Sequence, residues 1–135
     1  MKHLKALQSG AVGAAAVALL AVGTTTAQAD PGNPTVGYGY PDHARQVACV
    51  QFFVNWYTGM RIEVDGKFGP RTQLGVKRLQ DISNRTWATQ ELAVDGVFGP
   101  RTGQVVLTHA KKDRGMDQYK AASCSHVLPS YSVVY

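Results

Sequence analysis

The chain lacks the residue patterns on which most catalytic sites depend. Its 135 residues include four histidines, and no two of them stand at the spacing of a zinc site. No serine lies in a Gly-x-Ser-x-Gly turn, and no glycine-rich phosphate loop is present. A run of lysines and arginines interleaved with aromatic residues is typical of nucleic-acid binding, and the chain contains no such run. We therefore expect a protein that is not an enzyme, with no metal, no cofactor and no nucleic-acid partner.

A long apolar stretch occurs only near the start of the chain. Lys2 and Lys5 provide positive charge, an uncharged run follows over residues 11–22, and residues 27–29 read Ala-Gln-Ala. This order is typical of a secretory signal peptide, and the run is too short for a membrane span. We predict that residues 1–29 are a signal peptide and that the mature chain is secreted, extracellular or associated with the cell wall, with no membrane partner. A membrane-anchored N-terminus is the alternative.

Charge and cysteine are both scarce in the mature chain. Residues 30–135 hold 12 basic and 9 acidic residues, a net charge of +3 with neutral histidines, which suits an anionic cell wall. The two cysteines are Cys49 and Cys124. An even pair in an exported protein usually forms a disulfide, so we predict this bond, with two free thiols as the alternative. A small core benefits most from such a covalent tie.

The clearest positive feature is an internal repeat. Residues 64–72 (VDGKFGPRT) and 94–102 (VDGVFGPRT) are identical at eight of nine positions. Asp-Gly favours a tight turn, because glycine adopts a positive φ freely and the carboxylate accepts nearby amides. Gly-Pro then favours a helix start, and we expect the valine and phenylalanine of each copy to point inward. The residues predicted to build the two turns are Asp65, Gly66, Phe68, Gly69, Asp95, Gly96, Phe98 and Gly99.

Apolar residues at helical spacing surround these turns and predict three helices. The first runs from about residue 44 to Gly59 with Asp42 as its N-cap; the second follows Pro70 and carries Leu74, Val76 and Leu79; the third follows Pro100 and carries Val105 and Val106. Glycine and proline make residues 30–41 an extended leader. Residues 113–135 form a polar tail that ends in a short strand or strap, and the disulfide would hold this tail on the first helix.

The order of these residues resembles the peptidoglycan-binding-like domain, a three-helix module of many bacterial wall hydrolases. The family's first helix carries an apolar residue, a glutamine four positions later and another apolar residue, and both loops contain Asp-Gly and Thr at fixed spacing. The positions that correspond to this pattern are Val47, Gln51, Val54, Asp65, Gly66, Phe68, Gly69, Thr72, Gly75, Val76, Leu79, Gln80, Leu92, Val94, Asp95, Gly96, Gly99 and Thr102. At positions 75 and 79 glycine and leucine replace the family's usual alanine and phenylalanine. The resemblance implies an all-α fold, a small three-helix orthogonal bundle over residues 42–112, and non-catalytic binding to peptidoglycan.

Aromatic and basic side chains outside the apolar faces are the candidates for ligand contact. Sugars stack on aromatic rings, and arginine binds carboxylates through two parallel hydrogen bonds. Partial core packing is the alternative for each tryptophan, and a solvated surface is the alternative for each arginine. The candidate ligand-binding residues are Arg71, Arg101, Trp56, Tyr57 and Trp87.

Asp65 and Asp95 invite two further interpretations, a pair of glycosidase carboxylates or calcium ligands. Each aspartate precedes glycine in a repeated turn, and a calcium loop would need more acidic residues, so we predict a structural role for both. The predicted function is binding of the stem peptide or glycan of peptidoglycan by a secreted monomer, with a separate wall enzyme as a further candidate partner. Two alternatives stay open: a secreted interaction protein, such as an enzyme inhibitor or accessory subunit, and a minimal cell-wall hydrolase.

Overall fold

The computed structural model describes residues 33–87 and 91–132, and within these ranges the chain is all-helical. The helices are α1 (Ala44–Thr58), α2 (Pro70–Thr86), α3 (Pro100–Lys112) and α4 (Gln118–Ser125). The predicted all-α class is confirmed, but the described residues contain four helices where three were predicted, because α4 forms within the segment predicted as a polar tail. The predicted signal peptide, residues 1–29, lies outside the described residues. None of the four described helices combines the length and the apolar character needed to cross a bilayer.

The start of α1 differs from the predicted one. His43 occupies the N-cap position and makes no side-chain capping bond. The predicted N-cap, Asp42, instead accepts a hydrogen bond from the Phe68 backbone N–H at 3.2 Å. The N-cap prediction is therefore wrong, because this carboxylate ties the start of α1 to the first turn. The helix ends as predicted at Gly59, whose φ of 71° is the left-handed conformation that glycine adopts without strain.

Close packing of α1 on α2 explains why Gly75 occurs inside α2, although glycine has a low helix propensity. A methyl group at Gly75 would lie only 2.5 Å from Cγ1 of Val54, so glycine is required for the two helices to approach. Val76 and Leu79 are buried in the core, as predicted. Leu74 is exposed, so its predicted place in the core is wrong: it lies on the solvent side of α2.

The repeat contributes one core residue per copy rather than two. Phe68 and Phe98 are buried, which confirms the prediction for the phenylalanines. Val64 and Val94 are 49% and 47% exposed, so the prediction that they point inward is wrong. The inward positions are already filled by the apolar residues two places upstream, Ile62 and Leu92.

A disulfide between Cys49 and Cys124 joins α1 to α4, as predicted. Asp117 caps α4 by accepting the Lys120 N–H at 3.0 Å. The chain after α4 remains attached to the core through the fully buried Leu128. Residues 128–132 form neither helix nor strand, which contradicts a final strand over this part, and residues 133–135 lie outside the described residues.

The described part of the leader is bound to the core over residues 33–36, but residues 37–40 form a turn in which the Tyr40 N–H donates to the Gly37 carbonyl at 3.1 Å, so the predicted extended conformation is wrong there. Val36 is buried and exchanges two backbone hydrogen bonds with Phe98, at 3.0 and 2.8 Å. Gln46 of α1 donates through Nε2 to the carbonyl of Pro34 at 3.3 Å and to that of Val127 at 2.6 Å. The leader and the C-terminal segment therefore meet on the same part of α1.

Candidate ligand-binding site

The first turn of the repeat is built around one buried glutamine of α1. The Oε1 atom of Gln51 accepts the backbone N–H groups of Asp65 at 3.1 Å and Gly66 at 3.0 Å. Its Nε2 donates to Oδ1 of Asp65 at 3.0 Å, to the carbonyl of Lys67 at 3.0 Å and to Oγ1 of Thr72 at 3.1 Å. A single amide group thus fastens the whole turn to the start of α2.

The carboxylate of Asp65 is held as an acceptor within this turn. Its Oδ1 also accepts the Lys67 backbone N–H at 2.9 Å. This bond, followed by the one from Gln51, lowers the pKa of Asp65 below its ordinary value, because hydrogen bonds to the ionised form stabilise it. A catalytic proton donor requires a raised pKa, so the arrangement suits a structural role at this position.

The second turn repeats the arrangement bond for bond around Gln80 of α2. Its Oε1 accepts the N–H groups of Asp95 at 3.1 Å and Gly96 at 3.0 Å. Its Nε2 donates to Oδ1 of Asp95 at 3.1 Å, the carbonyl of Val97 at 2.9 Å and Oγ1 of Thr102 at 3.1 Å. The φ angles of the turn glycines, 76° in the first copy and 79° in the second, confirm the predicted left-handed conformation.

A second repeated residue, which the sequence motifs above do not include, anchors the chain before each turn. Asn55 accepts the N–H of Ile62 at 2.6 Å and donates to its carbonyl at 2.8 Å. Asn84 makes the same pair of bonds with Leu92, at 2.7 and 2.9 Å. Each asparagine lies four residues after its glutamine, on the same helix face. The signal that could have found it is Gln-x-x-x-Asn, which occurs once in α1 and again in α2.

Each turn leaves an open groove at the start of the helix that follows it. The first groove has a volume of about 190 Å³ and the second about 180 Å³. Arg71 and Arg101 are exposed and line the first and second groove respectively. The N-cap residues, Gly69 and Gly99, have no side chain that could cap these helices. Because the N-terminal end of a helix carries partial positive charge, each groove is suited to a carboxylate.

The aromatic candidates lie elsewhere, where α1, α2 and α3 end. Tyr57 and Trp87 pack against the core with ring centroids 5.2 Å apart. His109 stacks on Trp87 at 4.0 Å and lies 5.4 Å from Tyr57. Trp56 is 45% exposed, and its Nε1–H donates to Oδ2 of Asp113 at 2.9 Å. These five residues form what we call the aromatic cluster.

The length of α2 separates the aromatic cluster from the first groove. Arg71 lies in the first turn of α2 and Trp87 follows its last residue, so they are about 24 Å apart along the axis at 1.5 Å per residue. The structure therefore does not bring the five candidate residues into one site. The two arginines belong to the grooves, and the three aromatic residues belong to a separate cluster.

His109 and Asp113 continue the spacing of the two Gln–Asn pairs into α3. They lie four residues apart, as the glutamine and asparagine of each pair do. Their distance along the sequence from the second pair equals the distance of the second pair from the first, but no third Asp-Gly turn comes after them. The rings of Tyr57 and Trp87 pack against His109 instead. The indole N–H of Trp56, followed by smaller contributions from neighbouring N–H and hydroxyl groups, lowers the pKa of Asp113. This carboxylate is therefore ionised at neutral pH.

Acidification should weaken the fold through His109. Burial lowers the pKa of His109 below 6.5, with Asp113 acting in the opposite direction and Lys112 in the same one. The neutral imidazole therefore contributes stability that is complete above about pH 6.5 and is lost as the pH falls through the folded-state pKa. We expect the urea midpoint to decrease as the pH falls from about 6.5 through the lowered pKa of His109.

His109→Gln, which introduces the residue type found at the two equivalent positions, should flatten this pH dependence. His43→Gln, at an exposed position, is the matched control and should leave it unchanged. A proton NMR titration of the His109 ring should give a midpoint below 6.5. A midpoint at or above that value would contradict the prediction.

Among residues 33–87 and 91–132 there is no group of three or more His, Cys, Asp or Glu side chains that could hold a metal ion. Comparisons of the chain with protein-family models, with curated proteins and with solved structures found no match.

Proposed function

We propose that the mature chain is a secreted, non-catalytic module that binds peptidoglycan. The observation that carries the proposal is the pair of equivalent grooves, each of which combines an exposed arginine with the start of a helix. A guanidinium group binds a carboxylate through two parallel hydrogen bonds, and stem peptides present carboxylates. The disulfide supports an oxidising location outside the cytoplasm.

The construction of the grooves favours binding over turnover. The buried amides of Gln51 and Gln80 fix both turns before any ligand arrives, which limits the entropy lost on binding. Asp65 is engaged with backbone and amide donors and has a lowered pKa, the opposite of what a general acid needs. These features support a binding module in preference to the alternative of a minimal hydrolase.

Sedimentation with purified insoluble peptidoglycan tests the proposal. The mature protein should appear in the pellet, and no soluble fragments should be released. The double variant Arg71→Ala/Arg101→Ala should bind more weakly by about 1–3 kcal/mol, because a hydrogen-bonded charged partner is lost. Its melting temperature should change little, because both side chains are exposed.

Arg78→Ala is the matched control, because this arginine is exposed on α2 but lines neither groove. An attraction due to net charge alone would weaken equally in both variants and would fade smoothly with salt. If the protein stays in the supernatant at low and moderate salt, the proposal fails and a secreted interaction protein becomes the better explanation. Release of soluble fragments would instead favour a hydrolase.

A further inference from the structure

The two grooves share one frame but differ at their rims. The first groove is lined by Glu63 and Lys67, at positions that Ala93 and Val97 occupy in the second. The second groove is also lined by Tyr131, from the C-terminal segment. The first rim is therefore charged, with a carboxylate that disfavours a second one nearby. The aspartate of each turn lines its own groove, Asp65 the first and Asp95 the second. Apart from this shared carboxylate, the second rim is apolar and aromatic around its arginine.

The C-terminal segment reaches the second groove along a path that α3 is shaped to receive. A methyl group at Gly103 would lie 1.7 Å from the carbonyl oxygen of Pro129, so a side chain at this position would block the path. At the next position, Oε1 of Gln104 accepts the N–H groups of Tyr131 at 3.0 Å and Ser132 at 2.9 Å. These bonds hold Tyr131 beside the groove with 57% of its surface exposed.

The first copy of the repeat has no such receiving pair. The positions of α2 that correspond to Gly103 and Gln104 are occupied by Gln73 and Leu74. The side chain of Gln73 would obstruct a segment that crossed α2 as the C-terminal segment crosses α3. Leu74 has no oxygen that could accept backbone N–H groups. The features that place an aromatic ring at a groove therefore belong to the second copy alone.

We propose that the second groove is the recognition site and that the C-terminal segment completes it with Tyr131. The ligand is the free α-carboxylate end of a peptide that terminates in a small apolar residue. Arg101 binds the carboxylate, while Val97, Ala93 and Tyr131 contact the apolar side chain. A volume of about 180 Å³ is below the lower end, about 300 Å³, of common ligand pockets, which favours a peptide end over a disaccharide. The ligand class in this inference rests on the proposed function.

An NMR titration of the mature chain with acetyl-Ala-Ala, in its L and D forms, tests the assignment. The amide signals of the second turn should shift, and those of the first turn should not. Arg101→Ala and Tyr131→Ala should each weaken binding at least fivefold, roughly the loss of one good hydrogen bond or ring contact. Arg71→Ala should weaken it less than Arg101→Ala does, and Tyr119→Ala, which removes a highly exposed ring on α4, should change it less than about twofold. The C-terminally amidated peptide should bind at least tenfold more weakly, because the charge-assisted pair is lost.

Gln104→Leu provides a second variant that leaves the tyrosine in place. It introduces the residue type of the first copy and removes the acceptor that holds Tyr131. Binding should fall as it does in Tyr131→Ala, with circular dichroism confirming that the helices are intact. Equal losses from Arg71→Ala and Arg101→Ala, full binding by both Gln104→Leu and Tyr131→Ala, or full binding of the amidated peptide would each overturn the assignment.

Sedimentation of the wild-type chain with peptidoglycan, measured in parallel, separates this inference from the proposed function. A protein that pellets but shows no selective peptide binding at the second groove overturns the groove assignment alone. A protein that binds the peptide as described but stays in the supernatant overturns peptidoglycan binding and leaves the assignment standing. Failure of both measurements overturns both.

Discussion

Removing the disulfide is expected to lower the free energy of unfolding by about 4 kcal/mol, because the bond closes a long loop of the unfolded chain. Cys49 and Cys124 are separated by 75 residues and connect α1 to α4, and both are buried. The variant Cys49→Ala/Cys124→Ala should show this loss in urea unfolding monitored by circular dichroism. For a domain of this size such a loss is a large fraction of the total stability.

Reduced wild-type protein is the control for the chemical change at the two positions. It keeps both side chains and loses only the bond, so it should unfold at nearly the same urea concentration as the double alanine variant. The oxidised protein should also be two hydrogens lighter in intact mass. A difference of less than about 1 kcal/mol between the oxidised and reduced proteins would show that the loop constraint contributes little.

Gln80→Leu is expected to destabilise the protein by about 3–5 kcal/mol, because it leaves buried and partly buried polar groups of the second turn without partners. The buried amide of Gln80 makes five hydrogen-bond contacts within the second turn, and because the amide has two N–H groups, two of the three contacts at Nε2 share one of them. Leucine is of similar size but can replace none of them. The N–H of Gly96, which lies in a buried residue, then faces an apolar side chain. Urea unfolding measures the loss directly.

Gln51→Leu serves as an internal comparison for this prediction. Its five hydrogen bonds are the same in kind, so the two variants should agree within about 1 kcal/mol. Gln80→Glu should destabilise as well, because it replaces the donor with an oxygen that faces Oδ1 of Asp95. Stability within about 1 kcal/mol of wild type in Gln80→Leu would show that other contacts hold the turn.

The parts of the fold that depend on neighbouring residues could be predicted from the sequence. Gly66 and Gly96 adopt the left-handed conformation because the tight Asp-Gly turn itself requires it. Pro70 and Pro100 begin helices because proline suits the first helical position. In each case the relevant geometry spans only a few residues.

Features that depend on distant parts of the chain could not be predicted in the same way. The outward direction of Val64 follows from the place that Ile62 already fills, which only the folded arrangement reveals. The division of the candidate residues into grooves and an aromatic cluster follows from the length of α2 and the positions of three helix ends. The role of Gly103 depends on Pro129, which lies in the segment that follows α4 and crosses α3.

Helix α2 belongs to both copies of the repeat, which makes the structural unit one helix with its following turn. Thr72, in its first turn, completes the first copy, and Gln80 and Asn84 further along begin the second. In an array of such units, each interior helix completes the turn before it and supplies the side chains that bind the turn after it. Such arrays require a terminal cap with a different outer face. The rings of Tyr57 and Trp87 pack against His109 at the place where a third turn would lie, and they close the array at this end.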